Sequence, residues 1–383
     1  MKLNYLMPVR VMMGKDCVFE QRSLLAELGK KALVVTGKHS ARKNGAYDDV
    51  VKALEANGQG HALFDQVMAN PTDACVFEAG ELARTGGCDF VLAIGGGSPM
   101  DAAKAAAVLA ANSISKEELF GLSFSAALPI AAVPTTAGTG SETTPYSVLV
   151  DTTEADGKTP KAGGPVKRSF SSPLLFPRSA FLDAAYMLDL GRSSTVNTAI
   201  DALSHSLEGM LAVRANYVSD VLAREGTAMI MDCMDALLAF PENPRDFPVD
   251  KREKLLLASC IGGMVIAQSG TVAPHSMGYL FTLNWGTDHG RANGLLMKSF
   301  FSWCREKEKT SPAVTPRIPR LCAALGMDLE PFFAILEKLL GKREKATEAE
   351  LTTWSALPMK NAANTYIKPA KEEIERIYRE SVG

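Results

Sequence analysis

The sequence has few of the features that mark disulfide-bonded or nucleic-acid-binding proteins. Its seven cysteines are odd in number and none lies in a C-x-x-C pair, so we expect reduced thiols rather than a disulfide framework or a thiolate zinc site. The formal net charge is only −2 and the basic residues are dispersed, whereas nucleic acids and anionic membranes favour clustered Lys and Arg. We therefore expect neither nucleic acid nor a membrane as a partner.

Long apolar runs are missing too. The longest, residues 255–267, is shorter than the ~20 residues that a membrane-spanning helix needs. The first residues, MKLNYLMPVRVMMG, contain no sustained apolar core of the kind found in a signal peptide. These absences predict a cytoplasmic protein.

The 383-residue chain does contain two halves of different texture. In the first, apolar segments at 32–36, 90–94 and 128–133, with a weaker one at 61–64, alternate with helical patterns at 47–56 and 72–84. Such alternation predicts a Rossmann-like parallel sheet with helices on both faces. Residues 152–168 are expected to form a flexible hairpin or loop.

Beyond about residue 187, strand signals largely disappear. Helical patterns then cover 194–213, 217–239, 251–268, 292–306, 312–325, 329–340 and 371–381. We therefore predict an α/β domain at 1–187 and an all-α domain at 188–383.

Two loops rich in glycine or threonine follow predicted strands of the first half. In the first loop, GGGSPMD (95–101), Ser98 can cap a helix, Pro99 suits its first turn, and glycines let a phosphate approach the backbone. The second loop, PTTAGTGSETT (134–144), offers hydroxyl and backbone donors without bulk. The first loop is not the G-x-G-x-x-G fingerprint and on local grounds is equally a tight turn that binds nothing. Together, the loops predict an anionic ligand without identifying it.

The second half holds three of the five histidines in a pattern that suggests a metal site. Asp201 and His205 stand four residues apart on a predicted helix, which places them on one face. His275 and His289 lie fourteen residues apart in a glycine-bearing segment. One carboxylate and three imidazoles form a plausible ligand set for a divalent metal. A solvated helix face for the first pair and a hydrogen-bonded core histidine for His275 are the alternatives.

These motifs together resemble those of the iron-containing, or group III, alcohol dehydrogenases. The matching segments are GGGSPMDAAKA (95–105), PTTAGTGSE (134–142), DALSHSLE (201–208), H-x13-H-G-x-A-N (275–293) and KPAKEEIERIY (368–378). The resemblance implies the dehydroquinate synthase-like fold of that family. It also implies metal-dependent hydride transfer between NAD(P) and a small, neutral aliphatic alcohol or aldehyde. Because relatives often dimerise, a homodimer is expected.

The resemblance also implies the residues of the site. The metal ligands would be Asp201, His205, His275 and His289, holding Fe(II), although relatives in the superfamily use zinc. The dinucleotide would be bound by residues of the two loops and by one lysine, namely Gly96, Gly97, Ser98, Asp101, Thr135, Thr136, Thr139, Thr144 and Lys167.

Two positions depart from the family's pattern. Many NAD-using members have Asp at the end of the first strand, whereas this chain has Gly37, followed closely by the donors Lys38, Ser40, Arg42 and Lys43. An Asp would repel a 2′-phosphate, so Gly37 and Ser40 favour NADP(H) over NAD(H). Several members have a further histidine where this chain has Tyr279, a poor base at neutral pH, which we expect to shape the substrate pocket.

Two enzymes of the same superfamily remain as rivals. A dehydroquinate synthase-like lyase needs several basic residues around its substrate, and Arg291 is the only Arg or Lys in residues 270–293. A zinc polyol or glycerol dehydrogenase would show one carboxylate and two histidines rather than four ligands. Near the ligands, Met277, Leu280, Phe281 and Trp285 suggest an apolar substrate pocket.

Overall fold

Residues 3–154, 164–357 and 359–383 are described by the structure, which is a computed structural model. The chain divides into two compact units. One spans Met7–Leu190, and the other comprises Gly191–Gly383 together with the residues up to Leu6. The sequence prediction drew the boundary after residue 187.

A parallel sheet forms the centre of the first unit, as the sequence predicts. Its strands are β1 (Arg10–Met13), β2 (Lys31–Gly37), β3 (Gly60–Val67), β4 (Phe90–Gly95), β5 (Ile130–Pro134) and β8 (Ser179–Leu182). They pair in the order β1-β8-β5-β4-β2-β3, and every pair is parallel. A separate antiparallel hairpin pairs β6 (Tyr146–Asp151) with β7 (Val166–Ser171).

Helices cover both faces of the sheet, which explains why its central strands are apolar throughout. Along β2, Leu33 and Val35 pack into one core cluster, and Ala32 and Val34 into the other, because successive side chains point to opposite faces. The helices of this unit are α1 (Cys17–Glu20), α2 (Ser23–Ala26), α3 (Ser40–Lys43), α4 (Ala46–Ala56), α5 (Asp73–Thr85), α6 (Gly97–Ala111) and α7 (Lys116–Phe120).

Two of the strands that the sequence patterns did not predict are very short. β1 and β8 have four residues each, too few to show a period. Of residues 152–168, predicted to be a flexible hairpin or loop, 166–168 belong to strand β7, and 155–163 lie outside the described residues.

The second unit is helical wherever regular structure is described. Its helices are α8 (Arg192–Leu211), α9 (Tyr217–Met231), α10 (Met234–Leu238), α11 (Val249–Ser269), α12 (Ala273–Trp285), α13 (His289–Thr310), α14 (Ile318–Leu325), α15 (Leu329–Leu340), α16 (Glu348–Ala356) and α17 (Lys371–Val382). Short 3-10 helices occur in both units, at Ser141–Thr143, Pro173–Leu175, Ala184–Met187, Pro244–Asp246 and Lys360–Asn364.

Most predicted helices of this unit are present, with two corrections. The pattern predicted over 217–239 is interrupted between α9 and α10, and α14 begins at Ile318 rather than at residue 312. The helices α12 and α16 were not predicted.

Among the described helices, none is by itself long and apolar enough to cross a membrane. Only α11 and α12 taken together are long and apolar enough, and the two helices are bent by 116° where they meet.

Candidate functional site

The metal-ligand candidates Asp201 and His205 lie on the buried part of α8. Their exposed fractions are 3% and 4%, because α8 packs against α9, α11 and α13. The interpretation of this pair as a solvated helix face is therefore wrong. Asp201 Oδ1 lies 3.9 Å from His205 Nε2, too far for a hydrogen bond but suitable for two atoms that share a cation at about 2.0–2.2 Å.

His275 enters the same region from the first turn of α12. Its Nδ1 lies 2.7 Å from Glu208 Oε1, and a carboxylate only accepts, so Nδ1 carries the hydrogen and donates it. The other oxygen of Glu208 accepts a hydrogen bond from the backbone N–H of Val272 at 2.9 Å. Glu208 therefore joins α8 to the start of α12 and directs His275 Nε2 away from itself.

Within the cluster, Asp201 and His275 shift each other's pKa. Burial lowers the pKa of the imidazole, but the nearby carboxylates of Glu208 and Asp201 raise it, and the net direction is upward. For Asp201, burial raises the pKa of the carboxyl, whereas the three histidines lower it to below its usual value. The buried carboxylates and imidazoles therefore offset one another's cost of burial.

His289, the fourth candidate, is the first residue of α13. Its Nε2 lies 3.9 Å from Asp201 Oδ1, and its ring centre is 5.0 Å from that of His275. Gly290 makes this approach feasible, because a Cβ there would lie 1.8 Å from the backbone oxygen of Asn197 on α8. The side chain of His289 is 27% exposed, so this side of the cluster stays accessible.

The four candidates therefore come together, and Asp201, His205 and His275 each offer one ligand atom within 4.8 Å of the others. Buried carboxylate oxygen and imidazole nitrogen form a donor set that divalent iron and zinc both accept. The partial exposure of His289 leaves one side of the cluster accessible, as a catalytic metal site requires. The residues present thus fit the metal that the motifs imply.

Asn293 is a contact residue to which the sequence analysis gave no role. It is fully buried on α13, one turn after His289. Its Nδ2 lies 3.2 Å from Asp201 Oδ1, 3.3 Å from His275 Nε2 and 3.4 Å from His289 Nε2. The available signal was its spacing of four from His289, which places both side chains on one helix face.

Tyr279 lies on α12 one turn after His275. Its ring stacks on His289, with the ring centres 5.5 Å apart and the planes inclined by 28°. Of the apolar residues expected to line the substrate pocket, Met277 and Phe281 are instead fully buried in the core, and Trp285 stacks on Phe281. Tyr279, Leu280 and Trp285 are the partly exposed members of this group.

The candidate cofactor residues of the first loop lie where β4 ends and α6 begins. Gly96 is the N-cap residue, so the prediction that Ser98 caps this helix is wrong; Ser98 instead accepts a hydrogen bond from the backbone of Asn70 at 3.2 Å. A Cβ on Gly96 would lie 2.9 Å from Thr136 Oγ1, and one on Gly97 2.8 Å from Thr139 Cγ2. The two loops therefore touch through these glycines and threonines.

Other candidates make contacts inside the protein. Asp101 accepts hydrogen bonds from Ser141 Oγ at 2.9 Å and from the Val148 backbone at 3.1 Å. Thr144 is buried, 3.1 Å from Lys104 Nζ, and Thr135 is also buried. Their roles toward a cofactor stay predictions.

Gly37 and Ser40 lie at the same edge of the sheet as the loops. Gly37 is the last residue of β2 and Ser40 the first of α3, and β2, β4 and β5 are in parallel register up to this edge. Lys167 is half-buried on β7, and its charge lowers the pKa of Asp101, although burial of that carboxyl outweighs this effect.

Comparison with known proteins identifies matching families for both units. Residues 8–184 match the family model of iron-containing alcohol dehydrogenases, and residues 195–382 match the C-terminal model of Fe-containing alcohol dehydrogenases. The probable alcohol dehydrogenase EutG of Escherichia coli K12 is 33% identical over 287 residues, covering 73% of this chain and 68% of that protein.

Two further proteins cover more of the chain. The NAD-dependent methanol dehydrogenase of Bacillus methanolicus is 29% identical over 77% of this chain and 74% of its own length. The crystal structure of an iron-containing alcohol dehydrogenase from Thermotoga maritima is 36% identical, covers 99% of both chains and superposes with a TM-score of 0.84.

Proposed function

The chain belongs to the iron-containing alcohol dehydrogenase family, and from that membership we propose that Asp201, His205, His275 and His289 hold a divalent iron. The chain is an oxidoreductase that transfers hydride between a nicotinamide cofactor and an alcohol or aldehyde. The observation that carries the metal assignment is the convergence of Asp201 Oδ1 with two imidazole Nε2 atoms, each 3.9 Å away, in a buried setting.

The protein's contribution at this centre is to hold its side chains in one protonation state and one orientation. Glu208 keeps the hydrogen on His275 Nδ1 and so leaves Nε2 with its lone pair for coordination. Asn293 donates a hydrogen bond from Nδ2 to Asp201 Oδ1 and so holds that carboxylate in place. When bound, the metal supplies a Lewis acid that stabilises negative charge on the substrate oxygen.

The two loops at the carboxyl edge of the sheet are the proposed dinucleotide site. The first loop leads into α6, whose N-cap residue Gly96 has no side chain to cap the N–H groups of the first turn, and an anion is favoured at such a helix start. The nicotinamide, when bound, supplies the hydride chemistry, and the protein orients it.

We propose NADP(H) as the preferred form of the cofactor. At Gly37, a Cβ would meet its nearest neighbours at 3.4 Å or more, so a side chain would fit, yet the chain has none there. Lys38, Ser40 and Lys43 are exposed directly after the strand and can bind a 2′-phosphate. The neighbouring Arg42 is stacked on Tyr47 at 4.3 Å, and we assign it no role in the preference.

The proposed substrate is a small, neutral aliphatic aldehyde or the corresponding alcohol. Tyr279, which is partly exposed and stacks on His289, and the partly exposed Leu280 next to it in the sequence offer aromatic and apolar surface. Arg291, the cation of this segment, is engaged by Glu344 at 2.8 Å and by the Leu340 backbone oxygen at 2.6 Å. It is therefore not available to bind a substrate carboxylate, which disfavours the lyase alternative.

The test is a steady-state panel on protein purified and loaded with Fe(II) under anaerobic conditions. We expect turnover of ethanal, propanal and butanal, with a higher kcat/KM for NADPH than for NADH. A higher kcat/KM with NADH would remove the NADP(H) proposal alone. Zinc-supported oxidation of glycerol in preference to the aldehydes would favour the polyol dehydrogenase alternative, and absence of any net NAD(P)H turnover would favour the lyase.

We also propose a cytoplasmic location, which the seven cysteines without a C-x-x-C pair favour, and a homodimer, on the basis of the resemblance to the family. Light scattering after size-exclusion chromatography measures the assembly directly, and a monomer mass would contradict the dimer.

A further inference from the structure

A lysine with no assigned role lies fully buried beneath the second nucleotide loop. Lys104, on α6, is 1% exposed. Its Nζ donates hydrogen bonds to Ser141 O at 2.7 Å, Ser141 Oγ at 2.8 Å, Tyr146 O at 2.9 Å and Thr144 Oγ1 at 3.1 Å. Burial lowers the pKa of Lys104 to about 8, against the opposing effects of Asp101 and Glu142.

These acceptors lie at the end of the second loop and at the start of the strand that follows it. Ser141 begins the 3-10 helix Ser141–Thr143, Thr144 follows it, and Tyr146 begins β6. Asp101, one turn earlier on α6, also accepts a hydrogen bond from Ser141 Oγ. Lys104 and Asp101 therefore bind the end of the second loop to α6, whose first turn is the other nucleotide loop.

Stability alone does not account for a buried ammonium at this place. Removing a charge from water is costly, and well-packed apolar residues of similar volume are often as stabilising as a buried ionic group. The lysine instead fixes the conformation of the loop, because its N–H donors bind carbonyl and hydroxyl oxygens that must occupy defined positions. The same arrangement places Thr136 and Thr139 against Gly96 and Gly97.

We propose that Lys104 is a positioning residue for the dinucleotide, which holds the second loop (residues 134–144) against α6 in the conformation that binds the cofactor. The inference rests on the proposed function, in which these two loops bind NADP(H) or NAD(H). It assigns Lys104 no contact with the cofactor.

Lys116 offers a matched control in the same unit. It is also buried, at 4% exposed, and its Nζ binds Asp151 Oδ1 at 2.9 Å and Glu154 O at 2.7 Å. It joins α7 to the end of β6, and within the described residues its polar contacts are with Asp73, Asp151, Thr153 and Glu154, all outside the second loop. Loss of Lys116 therefore removes a comparable buried cation without releasing that loop.

The experiment compares Lys104→Met and Lys116→Met in the Fe(II)-loaded enzyme, with butanal saturating and NADPH varied. For Lys104→Met we expect KM for NADPH to rise about tenfold or more, with kcat within about threefold of wild type. For Lys116→Met we expect a lower Tm but a KM for NADPH within about twofold. Equal rises in KM for both variants, or no rise for Lys104→Met, would overturn the proposal.

A gentler pair of variants applies if Lys104→Met does not fold. Ser141→Ala removes one acceptor of Lys104 and the donor to Asp101, whereas Ser147→Ala removes a buried hydroxyl that donates only to the Asp101 backbone oxygen at 2.8 Å. We expect Ser141→Ala to raise KM for NADPH about threefold or more and Ser147→Ala to leave it unchanged. The reverse order would contradict the assignment.

NADPH binding, followed by fluorescence of the metal-loaded protein, separates this inference from the proposed function. If the wild-type protein binds NADPH but reduces no aldehyde, the proposed function is contradicted. The Kd values of the variants for NADPH would still decide the role of Lys104. A wild type that binds neither NADPH nor NADH would overturn both.

Discussion

The metal centre is formed by side chains, whereas the nucleotide loops are formed largely by glycines and backbone. At the metal centre, side chains on three helices converge, and further residues hold two of them: Glu208 holds His275, and Asn293 holds Asp201. At the loops, the glycines Gly96 and Gly97 lie against threonines of the second loop, while the polar side chains of Asp101, Ser141 and Thr144 bind one another or Lys104.

This difference predicts different responses to mutation. A centre made of converging side chains fails when one atom is lost or one helix shifts. A site made of backbone fails when the loop changes conformation, and it then loses affinity for the ligand rather than chemistry. The predictions below compare the two responses.

The largest effect is expected from Gly290→Ala, at the start of α13. Its Cβ would lie 1.8 Å from the Asn197 backbone oxygen, so α13 must move and carry His289 and Asn293 with it. We expect a loss of stability of about 1–3 kcal/mol and Fe(II) binding weakened by more than about 100-fold. Anaerobic metal titration and thermal unfolding measure both.

Gly191→Ala is the control for that substitution. Gly191 precedes α8 in the same unit, and a Cβ there meets nothing within 4 Å. Metal affinity and Tm should stay at wild-type values. If the two variants bound Fe(II) equally well, close approach of α13 to α8 would not be a requirement of the centre.

A smaller loss is expected from Glu208→Gln. The amide has one oxygen for the two donors that Glu208 now accepts from, His275 Nδ1 and the Val272 backbone, and it lacks the charge. We expect Fe(II) affinity to fall about 10–100-fold. Glu225→Gln, an exposed position on α9, should leave the affinity unchanged; an unchanged affinity in Glu208→Gln instead would show that this carboxylate does not tune His275.

At the nucleotide site, Gly37→Asp tests the proposed cofactor preference. A carboxylate there repels a 2′-phosphate, so the ratio of kcat/KM for NADPH to that for NADH should fall about tenfold, with kcat little changed. Gly60→Asp adds the same charge at the opposite end of the sheet, where a Cβ has its nearest contact at 3.6 Å, and should not alter the ratio. An equal change in both variants would point to net charge as the cause.

The smallest effect is expected from Tyr279→Phe. The ring of Tyr279 stacks on His289, and Phe keeps that ring. If only the ring is needed, kcat of the variant should stay within about twofold to threefold of wild type between about pH 6 and 9. A fall of kcat beyond about tenfold would assign the hydroxyl a part in proton transfer.

The sequence predicts an element only where burial leaves a recognisable apolar pattern. The strands β2, β4 and β5 were predicted because burial on both faces makes them apolar without interruption, whereas the four-residue strands β1 and β8 are too short to show a pattern. The helix α12 was missed because Pro274 and Gly278 break its apolar spacing, although Pro suits its first turn.

At the site, the motifs predicted which side chains carry the chemistry but not what holds them. Glu208 and Asn293 stood inside the recognised motifs, yet their roles depend on contacts between helices that are distant in sequence. Lys104 lay likewise inside a recognised motif, and a buried lysine cannot be told from an exposed one by its residue type alone.

Metal content tests the central claim most directly. Protein purified anaerobically with Fe(II) should carry one divalent ion per chain, and His275→Ala should lose both the ion and the NADPH-dependent reduction of butanal. His61→Ala, whose ring contacts Tyr47 in the other unit, should retain both. A His275→Ala protein that is free of metal and as active as wild type would contradict the account.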